Sequence, residues 1–207
     1  MWVLFTFIAA FMQAWRNAFQ SKLSQQVKVA GVTLSRFIWA GPIAVLYLAG
    51  LYYYQPVQLP EFNQVFFLYV IGASVMQIFA TGIMVKLFQL KNFAIGAGLA
   101  KSEALVAAVL GTLFFGSQLS LLGWSGVLLG GIAIVLMSSR QGIKELSLST
   151  ALLGLLCGTG FALTSLWIRE ASLCLTLPYL HRAAWVLVFV INIKKRGSSY
   201  EPLKFNI

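Results

Sequence analysis

The chain has 207 residues, of which 59% are hydrophobic and only 10% are charged, and its formal net charge is +10. Soluble domains carry about 25% charged residues, so this composition leaves little polar surface for water and predicts an integral membrane protein. The Lys and Arg residues are scattered between apolar runs, which excludes the single basic face that binds nucleic acid.

The acidic and metal-binding residue types are too few for most enzyme sites. The chain has no aspartate, five glutamates, one histidine and two cysteines. Without an aspartate a Ser-His-Asp triad cannot form, and His181 with Cys157 and Cys174 does not have the spacing of a zinc site. We therefore expect no enzymatic activity, no metal and no cofactor.

Seven apolar segments follow one another along the chain, and each is a candidate membrane helix. Such a helix needs roughly 20 mostly apolar residues. The predicted helices one to seven cover residues 2–20, 31–54, 64–85, 92–116, 119–138, 149–168 and, as the shortest, 178–193. The predicted fold is all-α: a polytopic membrane helix bundle of about seven transmembrane helices.

The short breaks between these segments predict the topology. Short connections make neighbouring helices antiparallel. The breaks after helices one, three and five each hold two Lys or Arg residues, whereas those after helices two and four hold none. Because positive charge favours the cytoplasmic side, the odd-numbered breaks and the C-terminus are predicted to lie inside and the N-terminus outside. We expect a multi-pass protein of a cell membrane, in particular the bacterial inner membrane.

Helix one carries a polar stripe, and helix three carries a single amide. Gln13 is followed by Arg16, Asn17 and Gln20 at spacings of three, four and seven residues, so the four share one face. Arg16 can reach the headgroups while the amides bond to neighbouring helices, or the stripe can line a pathway. On helix three, Ser74 and Thr81 can bond to their own helix backbone. Gln77 then needs a partner, as interhelical contact or as pathway lining.

Lys101 and Glu103 lie deep in predicted helix four. Lys101 is about 14 Å from the start of the segment by helical rise, close to the middle of a bilayer. A charge there costs at least about 2.5–3.5 kcal/mol, so each side chain should face protein or water. Residues two apart point in nearly opposite directions, so the two do not form one ion pair. Either they line a central polar pathway with the helix-one stripe, or they make buried structural contacts.

Two GxxxG spacings predict close helix packing. Gly126 and Gly130 lie in helix five, and Gly154 and Gly158 lie in helix six. Small residues at this spacing let a neighbouring backbone approach. Glycine is common in membrane helices, so each motif alone is a weak indication.

A faint internal repeat accompanies these segments. "AAFMQAWRNAFQSKLS" (9–24) and "TGFALTSLWIREASLCL" (159–175) share a Phe, a Trp and a polar end. The second copy begins five helices after the first, so the two must be inverted relative to each other in the membrane. Inverted repeats are typical of secondary transporters.

The sequence resembles the drug/metabolite transporter superfamily, EamA type. Residues 93–138, "FAIGAGLAKSEALVAAVLGTLFFGSQLSLLGWSGVLLGGIAIVLMS", resemble the fourth and fifth helices that close each half of those proteins, and "AAFMQAWRNAFQSKL" resembles the first. The resemblance covers nearly all of residues 2–190. It implies ten helices in two inverted halves and transport of small metabolites or drugs, mostly outward, by alternating access.

The chain departs from that pattern in three ways. Ser117 follows Gly116 where the family often has a glutamate, the charge count places the N-terminus outside, and there are about seven helices. We expect one complete five-helix repeat (1–140), the first two helices of a second, inverted repeat (141–193) and a basic polar tail (194–207). This predicts a permease shortened by a frameshift, a premature stop or a partial gene, in an active or inactive version.

The expected function is therefore small-molecule transport. The alternative is a non-transporting membrane scaffold or accessory protein in which Lys101 and Glu103 make structural contacts. The expected partners are the lipid bilayer, a small-molecule substrate, and a second copy or a separate half. Nucleic acid is not an expected partner.

Overall fold

The computed structural model describes residues 2–25, 31–32, 38–89, 102–140 and 148–200. Seven helices are complete within these ranges, and no strand lies in them. They are α1 (Trp2–Ser24), α2 (Ala40–Tyr54), α3 (Gln64–Gln89), α4 (Glu103–Phe114), α5 (Leu121–Arg140), α6 (Leu148–Leu173) and α7 (Tyr179–Tyr200). The predicted all-α class is confirmed for the described part of the chain.

Several helix boundaries differ from the prediction: α2 begins at Ala40 instead of residue 31, α6 ends at Leu173 instead of residue 168, and α1 and α3 each end four residues later than predicted. α4 begins at Glu103, with Ser102 as its N-cap residue, whereas the predicted helix four began at residue 92. Residues 90–101, including Lys101, lie outside the described residues. α7 continues to Tyr200, beyond the predicted end at residue 193, so part of the predicted polar tail is helical.

Two of the described helices are both long enough and apolar enough to cross a membrane unaided. They are Gln64–Gln89, which is α3, and Ser149–Leu173 of α6, while the apolar stretches Glu103–Phe114 and Leu121–Leu136 are shorter. A buried helix of a soluble protein can satisfy the same criterion, so these two helices indicate membrane association only weakly.

The centre of the molecule is an antiparallel pair formed by α3 and α6. Small residues set the close approach: a Cβ built on Gly160 would lie 3.0 Å from Ala80 Cβ, and one on Gly72 would lie 3.0 Å from the Trp167 ring. The thiol of Cys157 bonds to the carbonyl oxygen of Ala80 at 3.4 Å. Beside this contact, α3 and α6 share an apolar cluster of Ala80, Met84, Leu87, Phe88, Cys157 and Phe161.

The other helices pack around this pair. α7 contacts α2, α3 and, less extensively, α6, whereas α4 packs on α6, α1 packs on α3, and α5 packs on α4. A second apolar cluster joins α3, α6 and α7 through Phe66, Val70, Ala171, Leu175, Val186 and Val190. Ser74 in α3 bonds to its own helix at Val70 O (2.7 Å), as predicted. Thr81 does not bond to its own helix, and its buried Oγ1 has no hydrogen-bond partner in the described part of the chain.

Three connections meet at one end of the bundle, which we call the loop end: residues 55–63, 115–120 and 174–178. Two polar contacts hold them together. His181 at the start of α7 contacts the Gln55 carbonyl oxygen at the end of α2. Arg169 near the end of α6 contacts Ser117 in the connection after α4. The alternation of helix direction that short connections predict is therefore present among these elements.

Candidate polar site between α4 and α6

The N-terminus of α4 lies against the middle of α6. A Cβ built on Gly158 would collide with Ser102 Oγ and would lie 3.1 Å from the backbone nitrogen of Glu103. Only glycine allows this approach, since any side chain at position 158 would occupy the space of Ser102. The positive end of the α4 dipole is thereby placed about halfway along the length of its neighbour. We call Ser102, Glu103, Gly158 and Ser165 the Glu103 site.

The carboxylate of Glu103 accepts a hydrogen bond from the hydroxyl of Ser165. The distance from Ser165 Oγ to Glu103 Oε1 is 3.0 Å, and Oγ is also 3.0 Å from the carbonyl oxygen of Phe161. A hydroxyl has one proton, so the two acceptors compete for it. Glu103 is half-buried, and no cation among the described residues forms an ion pair with it. Its charge is stabilised by the first turn of α4, where a negative side chain is favoured.

A second polar contact lies one turn farther along the same face of α6. Arg169 is four residues after Ser165, so both side chains project toward α4 and its following loop. Arg169 Nη1 donates to Ser117 Oγ over 2.8 Å and lies 3.2 Å from Glu170 Oε1. The contact between α4 and α6 therefore has a carboxylate at the middle of α6 and a guanidinium at the loop end.

The loop after α4 is shaped to present Ser117. Gly116 has φ +58°, a backbone conformation that side chains disfavour. The Ser117 N–H then donates to the Gly111 carbonyl oxygen over 2.9 Å, which closes the end of α4. Ser117 stands where the resemblance leads one to expect a glutamate, and in this chain it is the hydrogen-bond partner of Arg169.

No family model, curated protein or solved structure matches the chain.

The predicted helix-one stripe lies apart from the Glu103 site. Gln13 and Arg16 are exposed, Asn17 is buried, and the Arg16 guanidinium contacts Asn17 Oδ1 at 3.4 Å. Among the described residues, no hydrogen bond or ion pair joins this stripe to Glu103. A pathway shared by both stays a prediction, and Lys101, its other predicted member, lies outside the described residues.

The remaining predicted residues divide into closely packed and open positions. Gln77 is half-buried in α3, and Gly154 is buried in α6. Gly158 forms the close contact with α4, so its predicted packing role is realised within the chain. Among the described residues, no atom lies within 4 Å of a Cβ added to Gly126 or Gly130 in α5, so no described part of the chain packs on the first GxxxG spacing.

Sequence reasoning did not find Ser165 or Ser102 as members of the site. Ser165 lies in an apolar segment that also carries Thr159 and Thr164. A Ser or Thr in a helix often bonds to its own backbone, as Thr164 does to Gly160 O (2.8 Å), so Ser165 did not stand out. The buried Oγ of Ser102 has no hydrogen-bond partner among the residues that the structure describes. The position of Ser165 four residues before Arg169 was the available signal, since it put two polar groups on one face.

Proposed function

We propose that the chain is a multi-pass membrane protein that moves a small metabolite or drug by alternating access, as the EamA-type resemblance implies. The bacterial inner membrane is the proposed location. The observation that carries the transport proposal is the Glu103 site, a half-buried carboxylate that faces the middle of an apolar helix. The proposal of a membrane location has separate support from α1.

The burial pattern of α1 is the reverse of that of a soluble amphipathic helix. Its buried side chains are polar: Asn17 is 8% exposed and Gln20 is 7% exposed. Its large apolar side chains face outward, and Phe7 is 72% exposed. In water this arrangement would lose about 25 cal/mol of stabilising free energy for each Å² of apolar surface left exposed. In lipid the same arrangement costs nothing, because lipid tails solvate the apolar face.

The same outward apolar surface continues on α5. Leu121, Leu128, Leu129 and Val135 are exposed over most of their side-chain area. A shallow groove of about 390 Å³ between α4 and α5 is lined by apolar residues, among them Leu105 and Ile132. On a soluble protein, exposed apolar patches of this extent mark a contact with a membrane or with another protein. Lipid contact explains them without a further partner.

The Glu103 site supports transport because an ionisable group at depth needs water or a specific partner. Insertion of a carboxylate at the centre of a bilayer costs at least about 2.5–3.5 kcal/mol. Ser165 provides one neutral hydrogen bond, and the rest of the carboxylate remains accessible. A helix N-terminus and a carboxylate at the midpoint of a bundle are also the elements from which transporters build substrate and ion sites.

Transport in proteoliposomes tests the proposal. The purified chain is reconstituted, and flux of a cationic dye and of an amino acid is compared with that in protein-free liposomes. We expect flux above background and a dependence on pH that Glu103→Gln removes. Glu61→Gln is the matched control, because Glu61 undergoes the same chemical change in an exposed loop. Flux equal to background, or Glu103→Gln behaviour equal to wild type at every pH, would contradict the proposal.

A non-transporting scaffold is the second candidate, and the open GxxxG face of α5 favours it. In the described part of the chain, α5 packs mainly against α4, and no described atom lies within 4 Å of a Cβ added to Gly126 or Gly130. A second copy or a separate half could approach there. Energy transfer between donor- and acceptor-labelled copies in one bilayer tests this candidate. Transfer that Gly130→Leu abolishes, with no flux in the same vesicles, would favour the scaffold.

A further inference from the structure

At the loop end, the only histidine of the chain is sealed between two helices. His181 is 0% exposed, and its Nε2 lies 2.9 Å from the carbonyl oxygen of Gln55, the residue that caps the C-terminus of α2. Because a carbonyl oxygen can only accept, Nε2 carries the proton in this contact. The imidazole is thus a direct bridge from α7 to the end of α2.

The other ring nitrogen has no partner. His181 Nδ1 is buried and makes no hydrogen bond among the described residues, and the same holds for the Nε atom of the neighbouring Arg182. The Tyr52 ring meets the imidazole edge to face, with centroids 5.1 Å apart and planes at 87°. The neutral ring therefore fits an aromatic surrounding in which a second N–H would have no acceptor.

The bridge is continuous with an aromatic cluster that joins α2, α7 and the connection before α3. Trp185 Nε1 donates to the Tyr52 hydroxyl over 3.0 Å. The Trp185 ring also packs against Phe62, with centroids 5.3 Å apart. Movement of His181 away from Gln55 would therefore separate Tyr52 from its contacts on α7.

The charged and titratable groups around the bridge offer no counter-charge for an imidazolium. They lie on all the elements at this end: Tyr52, Tyr53 and Tyr54 on α2, Glu61 in the following loop, Tyr69 on α3, Arg169, Glu170 and Cys174 at the end of α6, and Tyr179 and Arg182 on α7. Glu61 is exposed, and Glu170 pairs with Arg169. Arg182 follows His181 directly, and its guanidinium lies over the Tyr179 ring at 5.5 Å. No acidic side chain in the described part of the chain hydrogen-bonds to His181 or Arg182.

We propose that the contact of His181 with Gln55 is an acid-sensitive latch between α2 and α7. Protonation at Nδ1 places a positive charge in an apolar pocket beside Arg182, and burial of an unpaired charge is strongly unfavourable. The α2 C-terminus attracts a cation, but this attraction is smaller than the loss of hydration for a fully buried group. Protonation of His181 therefore favours opening of the latch, since water can solvate the charged ring only in the open state. This inference does not depend on transport.

Distance measurement between spin labels tests the latch. The full-length protein in detergent carries Cys157→Ala and Cys174→Ser, with labels at Tyr54→Cys and Leu180→Cys, which are exposed positions beside the contact. Between about pH 7.5 and about pH 5.5, we expect the population with the longer distance to increase at the expense of the population with the short one. A one-proton transition changes the ratio of open to closed by at most about tenfold for each pH unit.

Two variants identify the group responsible. His181→Gln keeps an N–H for the Gln55 carbonyl but cannot charge, so it should hold the short distance at both pH values. Arg182→Gln removes the neighbouring positive charge, so its transition should move to lower pH. An unchanged distance in the wild-type protein, a transition that persists in His181→Gln, or a shift to higher pH in Arg182→Gln would overturn the proposal. If His181→Gln does not fold, the direction of the shift in Arg182→Gln decides the question.

Discussion

Arg169 and Ser117 connect α6 to the loop that follows α4 through a hydrogen bond of 2.8 Å from Nη1 to Oγ. Arg169 lies near the end of α6 that the predicted topology places outside, where the charge rule disfavours a basic residue, and this contact gives it a local structural role. It also lies at the loop end of the same α4–α6 contact that contains Glu103.

Loss of this contact should loosen the α4–α6 pair only modestly. Arg169 is 45% exposed, so solvent screens the interaction, and we expect Ser117→Ala to lower the free energy of unfolding by at most about 1 kcal/mol. Gln118→Ala, at an exposed neighbouring position, is the control. Thermal unfolding in detergent measures both variants. Equal midpoints for Ser117→Ala, Gln118→Ala and the wild type would show that the contact contributes nothing.

Two glycines in GxxxG spacings should respond in opposite ways to alanine. Gly158→Ala pushes a methyl group into Ser102 and the start of α4, so we expect a loss of about 1–3 kcal/mol. Gly130→Ala meets no atom within 4 Å, so its effect in the isolated chain should stay within about 0.5 kcal/mol. The two unfolding midpoints provide the comparison. A neutral Gly158→Ala would mean that α4 does not begin against α6.

The two natural cysteines should differ sharply in their reaction with thiol reagents. Cys157 is buried between α3 and α6, whereas Cys174 is only partly covered, in the connection after α6. Burial raises the pKa of the Cys174 thiol, and the Glu170 carboxylate raises that pKa further. The thiolate reacts, so Cys174 should label slowly near neutral pH and faster as the pH rises. Glu170→Gln should increase the rate at which Cys174 is labelled, and mass spectrometry of the labelled chain measures that rate.

The same thiol tests the predicted orientation. The charge count places the connection after helix six outside, so a membrane-impermeant maleimide should label Cys174 in intact cells. Cys157→Ala leaves Cys174 as the single target and removes ambiguity. Labelling confined to inverted vesicles would reverse the predicted topology, with the N-terminus inside.

The sequence predicted the existence of the helices well and their ends less well. Apolar runs bounded by polar breaks located all seven, because each helix must be apolar over most of its length. The start of α4 at Glu103 was not visible, since Gly96, Gly98 and Ala100 form one apolar segment with it in the sequence. α7 continues beyond its apolar residues to Tyr200, because Lys194, Lys195 and Arg196 are good helix formers.

Side-chain partners could not be predicted, because they depend on how helices rotate and slide against one another. Glu103 was identified as an isolated charge, but its contact with Ser165 requires the register that Gly158 sets. His181 was identified only as a lone residue unfit for a metal site. Its bridge to Gln55 arises because α2 and α7 are antiparallel neighbours, a pairing of elements far apart in the chain.

The most direct test of the central claim, that the Glu103 site borders a water-filled passage within the membrane, is solvent access at Ser165. In a protein that also carries Cys157→Ala and Cys174→Ser, Ser165→Cys places a thiol beside the Glu103 carboxylate, and Leu155→Cys places one on an outward apolar face of the same helix. In liposomes, a charged water-soluble thiol reagent should modify Ser165→Cys and leave Leu155→Cys unmodified. Protection of both would mean a dry contact, and equal modification of both would mean that α6 does not lie in lipid.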